Sequence, residues 1–149
     1  MLSRLVFCGL LLNALACSAE LAISGSDFSV DGIELGMVEI RVQEVVGLAR
    51  FIDGPYHGPT YGLGSCYYYG KNQETCVQYD PSGKVCRVSG TVLTCQGRVL
   101  AARNQNPVGT ADWQRVGKEW YLSKGRTRAV ALLDSEGRVQ RVQLCSLDP

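Results

Sequence analysis

A regular series of cysteines in the middle of this 149-residue chain constrains its fold more than any other feature. Each lies in a short run of strand-forming residues, and segments rich in Gly, Asn, Asp or Pro separate the runs. Such segments favour tight turns between antiparallel strands. We therefore expect a β-meander in which neighbouring cysteines lie at similar heights on consecutive strands, within disulfide reach. The series consists of Cys66, Cys76, Cys86 and Cys95, and Cys145 follows near the C-terminus.

The spacing leaves the disulfide pairing open, because a register shift of one residue turns a side chain to the opposite face of the sheet. All five cysteines are candidates for disulfides.

Part of this pattern recurs in the C-terminal third. Five residues around an Asp-x-x-Gly turn are repeated at one constant offset, which indicates a duplicated hairpin with possible repeats over 28–95 and 96–145. The matched residues are Asp80 and Asp134, Gly83 and Gly137, Val85 and Val139, Arg87 and Arg141, and Val88 and Val142.

Ahead of the meander, apolar residues recur at three- and four-residue spacings. They predict an amphipathic helix of about three turns packed on the sheet, although Ile40–Gln43 also alternates as a strand would. The sequence therefore predicts an α+β fold in a single domain over 28–149. The helical positions are Met37, Val38, Val45, Leu48, Ala49 and Ile52.

Residues 1–16 have the pattern of a signal peptide, with Arg4 ahead of an apolar run that ends in small residues. Two processing routes remain open. Ala14-Leu15-Ala16 suits ordinary signal peptidase, whereas the same residues followed by Cys17 resemble a bacterial lipobox. In the second case Cys17 is acylated, 17–27 forms a tether, and the protein is an outer-membrane lipoprotein facing the periplasm.

Several motifs resemble those of a known family. Gly32–Met37 precedes the predicted helix, which contains Val42–Gly47, and Tyr67–Tyr69 and Val77–Val85 follow as a hairpin. This order is similar to that of the BamE (SmpA/OmlA) lipoproteins and to the related β-lactamase-inhibitor-protein fold. The resemblance implies a helix packed on an antiparallel sheet and a role in binding proteins within a bacterial envelope.

The sequence offers little for catalysis. The usual hydrolase and nucleotide motifs do not occur, and His57 is the only histidine in the sequence. The cysteines lack the close spacing of structural zinc sites, so we expect no metal and no cofactor. With 15 basic and 14 acidic residues, the chain has no global charge that favours nucleic acid.

Binding is better supported than catalysis, because Tyr and Trp often anchor protein interfaces. The sequence thus predicts a non-enzymatic envelope protein that binds another protein, as an assembly scaffold. Two alternatives are a periplasmic inhibitor or immunity protein against a secreted toxin or hydrolase, and a small envelope enzyme that uses His57. The candidate partner-binding residues are Tyr56, His57, Tyr61, Tyr68 and Trp113.

Charge is distributed unevenly along the chain. Residues 1–75 hold 4 basic and 8 acidic residues, whereas 76–149 hold 11 basic and 6 acidic ones. A basic surface in the C-terminal half would attract an acidic partner. The residues expected to form it are Lys124, Arg126, Arg128, Arg138 and Arg141.

Overall fold

The structure is a computed structural model that describes residues 27–53, 66–108 and 113–147. Strands hold 54% of the described residues, and helical residues hold 9%. The elements are β1 (Phe28–Val30), α1 (Glu39–Val46), β2 (Phe51–Asp53), β3 (Cys66–Tyr69), β4 (Thr75–Tyr79), β5 (Val85–Gly90), β6 (Val92–Cys95), β7 (Arg98–Ala102), β8 (Gln114–Val116), β9 (Glu119–Lys124), β10 (Thr127–Leu133) and β11 (Val139–Ser146).

Two antiparallel sheets contain all of these strands. The small sheet has the order β1-β6-β7, and the large sheet has eight strands in the order β2-β3-β4-β5-β11-β10-β9-β8. The large sheet is thus built from two four-stranded meanders, β2–β5 and β8–β11, which meet where β5 pairs with β11.

The two meanders use the same turn. In each, an aspartate accepts hydrogen bonds from backbone N–H groups two and four residues ahead, which fixes the hairpin loop. Asp80 does so before β5 and Asp134 before β11. The glycines that follow, Gly83 and Gly137, have φ values of 79° and 78°, a conformation that favours glycine.

A β-bulge also recurs at the same place in each meander. Tyr79 pairs with Val85 and Gln78 pairs with Arg87, so that Cys86 is the extra residue. In the second hairpin Leu133 pairs with Val139 and Leu132 with Arg141, and Gln140 is extra. The residues that match in sequence therefore lie in β4–β5 and β10–β11, within narrower limits than 28–95 and 96–145.

The core lies between the small sheet and one face of the large sheet. Alternation along the strands sends every second side chain into it, as in β10, whose residues alternate between buried and half-buried or exposed. Tyr69 and Tyr79 share a buried hydrogen bond between their hydroxyl groups, 2.9 Å long. The largest fully buried side chains are Tyr69, Phe28, Ile33, Leu93 and Leu144.

The predicted α+β fold with a packed amphipathic helix is wrong, because the described chain is mostly β. The one helix of the described residues spans eight residues, and Val42 is its one buried side chain. Ile40 and Val45 are 60% and 48% exposed. β-branched residues lower helix propensity, and the end of the predicted helix at Ile52 instead lies in β2, which pairs with β3.

The predicted run of four cysteines across one sheet is also wrong at its last member. Cys95 lies in β6, and this strand pairs with β1 and β7 in the small sheet. β5 itself pairs next with β11, from the second meander. Turn signals identify where strands end, but they do not reveal that a strand leaves one sheet for another.

Candidate functional site

The large sheet has a second face, which points away from the small sheet and which we call the outer face. Strand register assigns its residues, because those opposite one another across the strands share a face. Its side chains include Phe51, Asp53, Cys66, Tyr68, Cys76, Gln78, Cys86, Arg87, Ser89, Glu119, Tyr121, Ser123, Arg128, Val130, Leu132, Arg141, Gln143 and Cys145.

Aromatic side chains lie on both halves of the outer face. Phe51 and Tyr68 are opposite each other on β2 and β3, with ring centroids 5.7 Å apart. On the second meander, the guanidinium carbon of Arg128 lies 5.0 Å from the centre of the Tyr121 ring. Such a cation–π contact holds both side chains in one orientation. The outer face therefore offers rigid aromatic surface at two separate places.

The outer face is also basic. Arg87, Arg128 and Arg141 are exposed. Of the carboxylates assigned to this face, Asp53 lies on the edge strand β2 and Glu119 lies on β9, next to the edge strand β8. Three of the basic residues of the C-terminal half, Arg87, Arg128 and Arg141, thus lie on one face of the large sheet.

A polar groove of about 570 Å³ lies at one end of this face. Two arginines line it, Arg103 from the end of β7 and Arg141 from β11. Salt bridges of the described residues join Arg41 to Glu44 and Arg138 to its neighbours Asp134 and Glu136, and they include neither groove arginine. The other lining residues are Asn72, Gln73, Glu74, Gly90, Thr91, Leu132 and Gln140.

A partly buried carboxylate lies directly behind the groove. Asp31 accepts hydrogen bonds from the Thr75 hydroxyl at 2.7 Å, the Thr91 hydroxyl at 2.8 Å and the Val92 N–H at 2.9 Å. A side chain at Gly90 would overlap the Asp31 carboxylate, so this position needs glycine. Asp31 thus joins the loop after β1 to β4 and to the β5–β6 link, and it shapes the groove wall.

Four thiols lie on the outer face in two groups. Burial, together with the neighbouring Cys66 thiol, raises the pKa of Cys76 to about 11. Burial also raises the pKa of the Cys86 thiol. Raised pKa values make these thiols poor nucleophiles at neutral pH, unlike the activated cysteines of thiol enzymes.

The predicted partner-binding residues lie in different parts of the chain, and some are outside the described residues. Tyr56, His57 and Tyr61 lie outside the described residues, as does Cys17. Tyr68 lies on the outer face beside Phe51. Trp113 lies away from that face, where its ring is 6.2 Å from Trp120 and its Nε1 donates to the Val108 carbonyl at 3.0 Å. The structure therefore does not bring Tyr68 and Trp113 together.

Sequence reasoning overlooked the pair formed by Tyr121 and Arg128, although each residue type had drawn attention. Tyr121 and Arg128 lie on the two strands of one hairpin, which the sequence could indicate, but the contact between them depends on the register of β9 with β10. Asp31 gave no signal, because its partners lie 44 to 61 residues away in sequence.

Within the described ranges, no group of three or more His, Cys, Asp or Glu residues is placed to hold a metal ion. In the same part of the chain, no helix has the length and apolar character needed to cross a membrane.

Comparison with known proteins gives evidence on the fold. No family model and no curated protein matches the chain. Among solved structures, it is similar to a cysteine-rich secretory protein from Staphylococcus aureus subsp. aureus Mu50, with a TM-score of 0.51 and 12% sequence identity. The match covers 84% of this chain but 47% of that one, so the chain spans about half of the length of that protein. The likeness indicates a shared fold and does not carry a function with it.

Proposed function

We propose that this protein is a non-enzymatic module of the bacterial envelope, and that its outer face binds an acidic surface of another exported protein. The observation that carries this proposal is the combination of aromatic and arginine side chains on that face, above all the Arg128–Tyr121 pair.

Rigid aromatic side chains support the proposal on energetic grounds. Tyr and Arg are enriched among residues that dominate binding energy. Phe51 against Tyr68, and Tyr121 against Arg128, already hold one another in place, so less side-chain entropy is lost when a partner docks.

Charge supports the choice of an acidic partner. Arg87, Arg128 and Arg141 are exposed on the face, and a partner that presents carboxylates there would be steered by complementary charge. The groove at the end of the face would hold one acidic side chain between Arg103 and Arg141.

The envelope location rests on the sequence of the N-terminal segment. The predicted signal peptide over 1–16 directs export, and acylation of Cys17 would hold the protein on the outer membrane with the tether and domain in the periplasm. Within this location the partner is a component of the assembly machinery, for which the protein would serve as a scaffold.

An inhibitor or immunity role uses the same face but a different partner, namely a secreted toxin or hydrolase. Tight one-to-one capture of such an enzyme, with loss of its activity, would favour that role over a scaffold. The enzyme alternative predicts turnover by the protein alone that disappears in His57→Ala.

The proposal is tested by reversing the charge of one arginine on the large sheet and, as a control, of one arginine on the small sheet. A photo-crosslinking residue in place of Tyr121 should capture one partner in the intact envelope. We expect Arg128→Glu to weaken binding of that partner about tenfold, equivalent to about 1.4 kcal/mol, and higher salt to weaken it further.

Arg98→Glu is the matched control, because Arg98 is also exposed on a strand but belongs to the small sheet. It should leave binding unchanged. Equal losses from the two reversals, or a captured partner whose contact surface is basic, would contradict the proposal.

A further inference from the structure

Five thiols are described in the structure, and their positions restrict how they can pair. Neighbouring strands lie about 4.8 Å apart, so side chains separated by an intervening strand are too distant for a disulfide. The adjacent-strand combinations on the outer face are Cys66 with Cys76, Cys76 with Cys86, and Cys86 with Cys145.

Register eliminates the middle combination. Cys76 lies opposite Ser89, which is three residues from Cys86 along β5. Three residues of extended strand span about 10 Å, beyond the reach of a disulfide.

The first combination is supported by direct proximity. Cys66 lies opposite Gln78 and Cys76 lies opposite Tyr68, so the two cysteines are diagonal neighbours on one face of β3 and β4. The Gln78 amide donates to the Cys66 sulfur at 3.0 Å, and the nearby Cys66 thiol contributes to the raised pKa of Cys76. Ideal diagonal neighbours lie about 7–8 Å apart, slightly beyond the usual disulfide range, so β3 must move slightly inward on closure.

The last combination depends on the bulge in β5. Cys145 lies opposite Arg87, the residue after Cys86. Because Cys86 is the extra residue of the bulge, its side chain is turned to the same face as that of Arg87. There the Cys86 thiol donates to the Gln78 carbonyl of β4 at 3.4 Å, and the Cys145 thiol is near enough to contribute to the raised pKa of Cys86. Closure with Cys145 therefore requires the Cys86 side chain to rotate toward β11.

Cys95 is separated from all four. It is buried in the core, and its strand belongs to the small sheet. A buried thiol of this kind behaves as a small apolar side chain.

We propose that Cys66–Cys76 and Cys86–Cys145 are the two disulfides of the exported protein and that Cys95 remains a thiol. The pairing accounts for the odd number of cysteines after Cys17, so acylation of Cys17 leaves no exposed thiol among the described residues. It uses the envelope location of the proposed function but not its binding partner.

Each bond forms by exchange with an oxidant disulfide, such as oxidised glutathione or an exported oxidoreductase. One cysteine thiolate attacks that disulfide and expels one thiol, and the second cysteine then displaces the other. The protein loses two S–H bonds and gains one S–S bond, and its two hydrogens end on the two thiols released from the oxidant.

Peptide mapping tests the pairing. Reduced full-length protein is oxidised with glutathione while folded, its remaining thiols are alkylated, and the linked peptides are identified by mass spectrometry. We expect links 66–76 and 86–145, with Cys95 alkylated only after unfolding. A disulfide that contains Cys95, or a link from Cys66 to any residue other than Cys76, would overturn the proposal.

Single serine variants keep the test valid if one bond fails to form. Cys66→Ser should release Cys76 as a reactive thiol and retain the 86–145 link, whereas Cys86→Ser should release Cys145 and retain 66–76. Oxidation in denaturant is the control and should yield mixed pairings. If protein isolated from the envelope is fully reduced while the glutathione reaction gives both links, the proposed location is wrong and the pairing stands.

Discussion

At the scale of single residues, the Asp31 carboxylate joins the loop after β1 to β4 and to the β5–β6 link. Asp31 has φ 51°, a conformation that aspartate tolerates better than most residues, and its carboxylate accepts hydrogen bonds from three separate residues. The Asp80 and Asp134 turns, in contrast, could be predicted, because Asp-x-x-Gly places donor and acceptor within one local segment. Local hydrogen bonds leave a sequence pattern, and long-range ones do not.

Removing the Asp31 carboxylate should be costly. Asp31→Ala leaves the Thr91 and Val92 N–H groups and two hydroxyls without their acceptor, and we expect the free energy of unfolding to fall by about 3 kcal/mol. Urea denaturation measures this. Glu34→Ala, which removes an exposed carboxylate from the same connection, should change stability by less than about 0.5 kcal/mol. A similar loss in both variants would contradict the structural role of Asp31.

At the scale of elements, strands were easier to predict than the helix. The strand-forming runs around Cys66 and Cys76 form the strands Cys66–Tyr69 and Thr75–Tyr79, because turn residues flank runs of β-branched and aromatic residues. The helical spacing from Met37 to Ile52 was misleading, since it continued across Gly47 into residues that form β2. The spacing of apolar residues indicates which side chains can be buried, but pairing with a neighbouring strand determines whether the segment forms helix or strand.

Alanine substitutions in α1 test whether the stability of the protein depends on the burial of single side chains or on the whole apolar stripe of the helix. Val42→Ala should lower the free energy of unfolding by about 2 kcal/mol, because this side chain is fully buried. Ile40→Ala should change it by less than about 0.5 kcal/mol, because that position is exposed and alanine favours helix. Thermal denaturation of the two variants decides between this structure and a helix packed by its whole apolar stripe, for which the losses would be comparable.

At the scale of the whole molecule, the two disulfides proposed above would act very differently. Cys66–Cys76 closes a short hairpin within one meander, whereas Cys86–Cys145 joins the two meanders across the β5–β11 pairing. The chain-entropy argument gives about 3 kcal/mol for the first bond and about 4 kcal/mol for the second. The sequence offered the cysteines but could not offer this distinction, because the contact of β5 with β11 is not local.

We therefore expect Cys86→Ser/Cys145→Ser to lower the melting temperature of the oxidised protein more than Cys66→Ser/Cys76→Ser does. Under reducing conditions, where neither bond is present, the difference between the two double variants should largely disappear. A larger loss from the 66–76 variant would mean that the longer link does not constrain the unfolded chain.

The short outermost strands of the large sheet limit how a partner can approach. Within the described residues, β2 and β8 have three residues each, so these strands offer little unpaired backbone for strand addition by a peptide or a second copy. For the partner proposed above, recognition would then depend on the side chains of the outer face. Such a partner would gain little by binding as a linear peptide, and we expect it to be a folded domain whose surface is complementary in shape to this face.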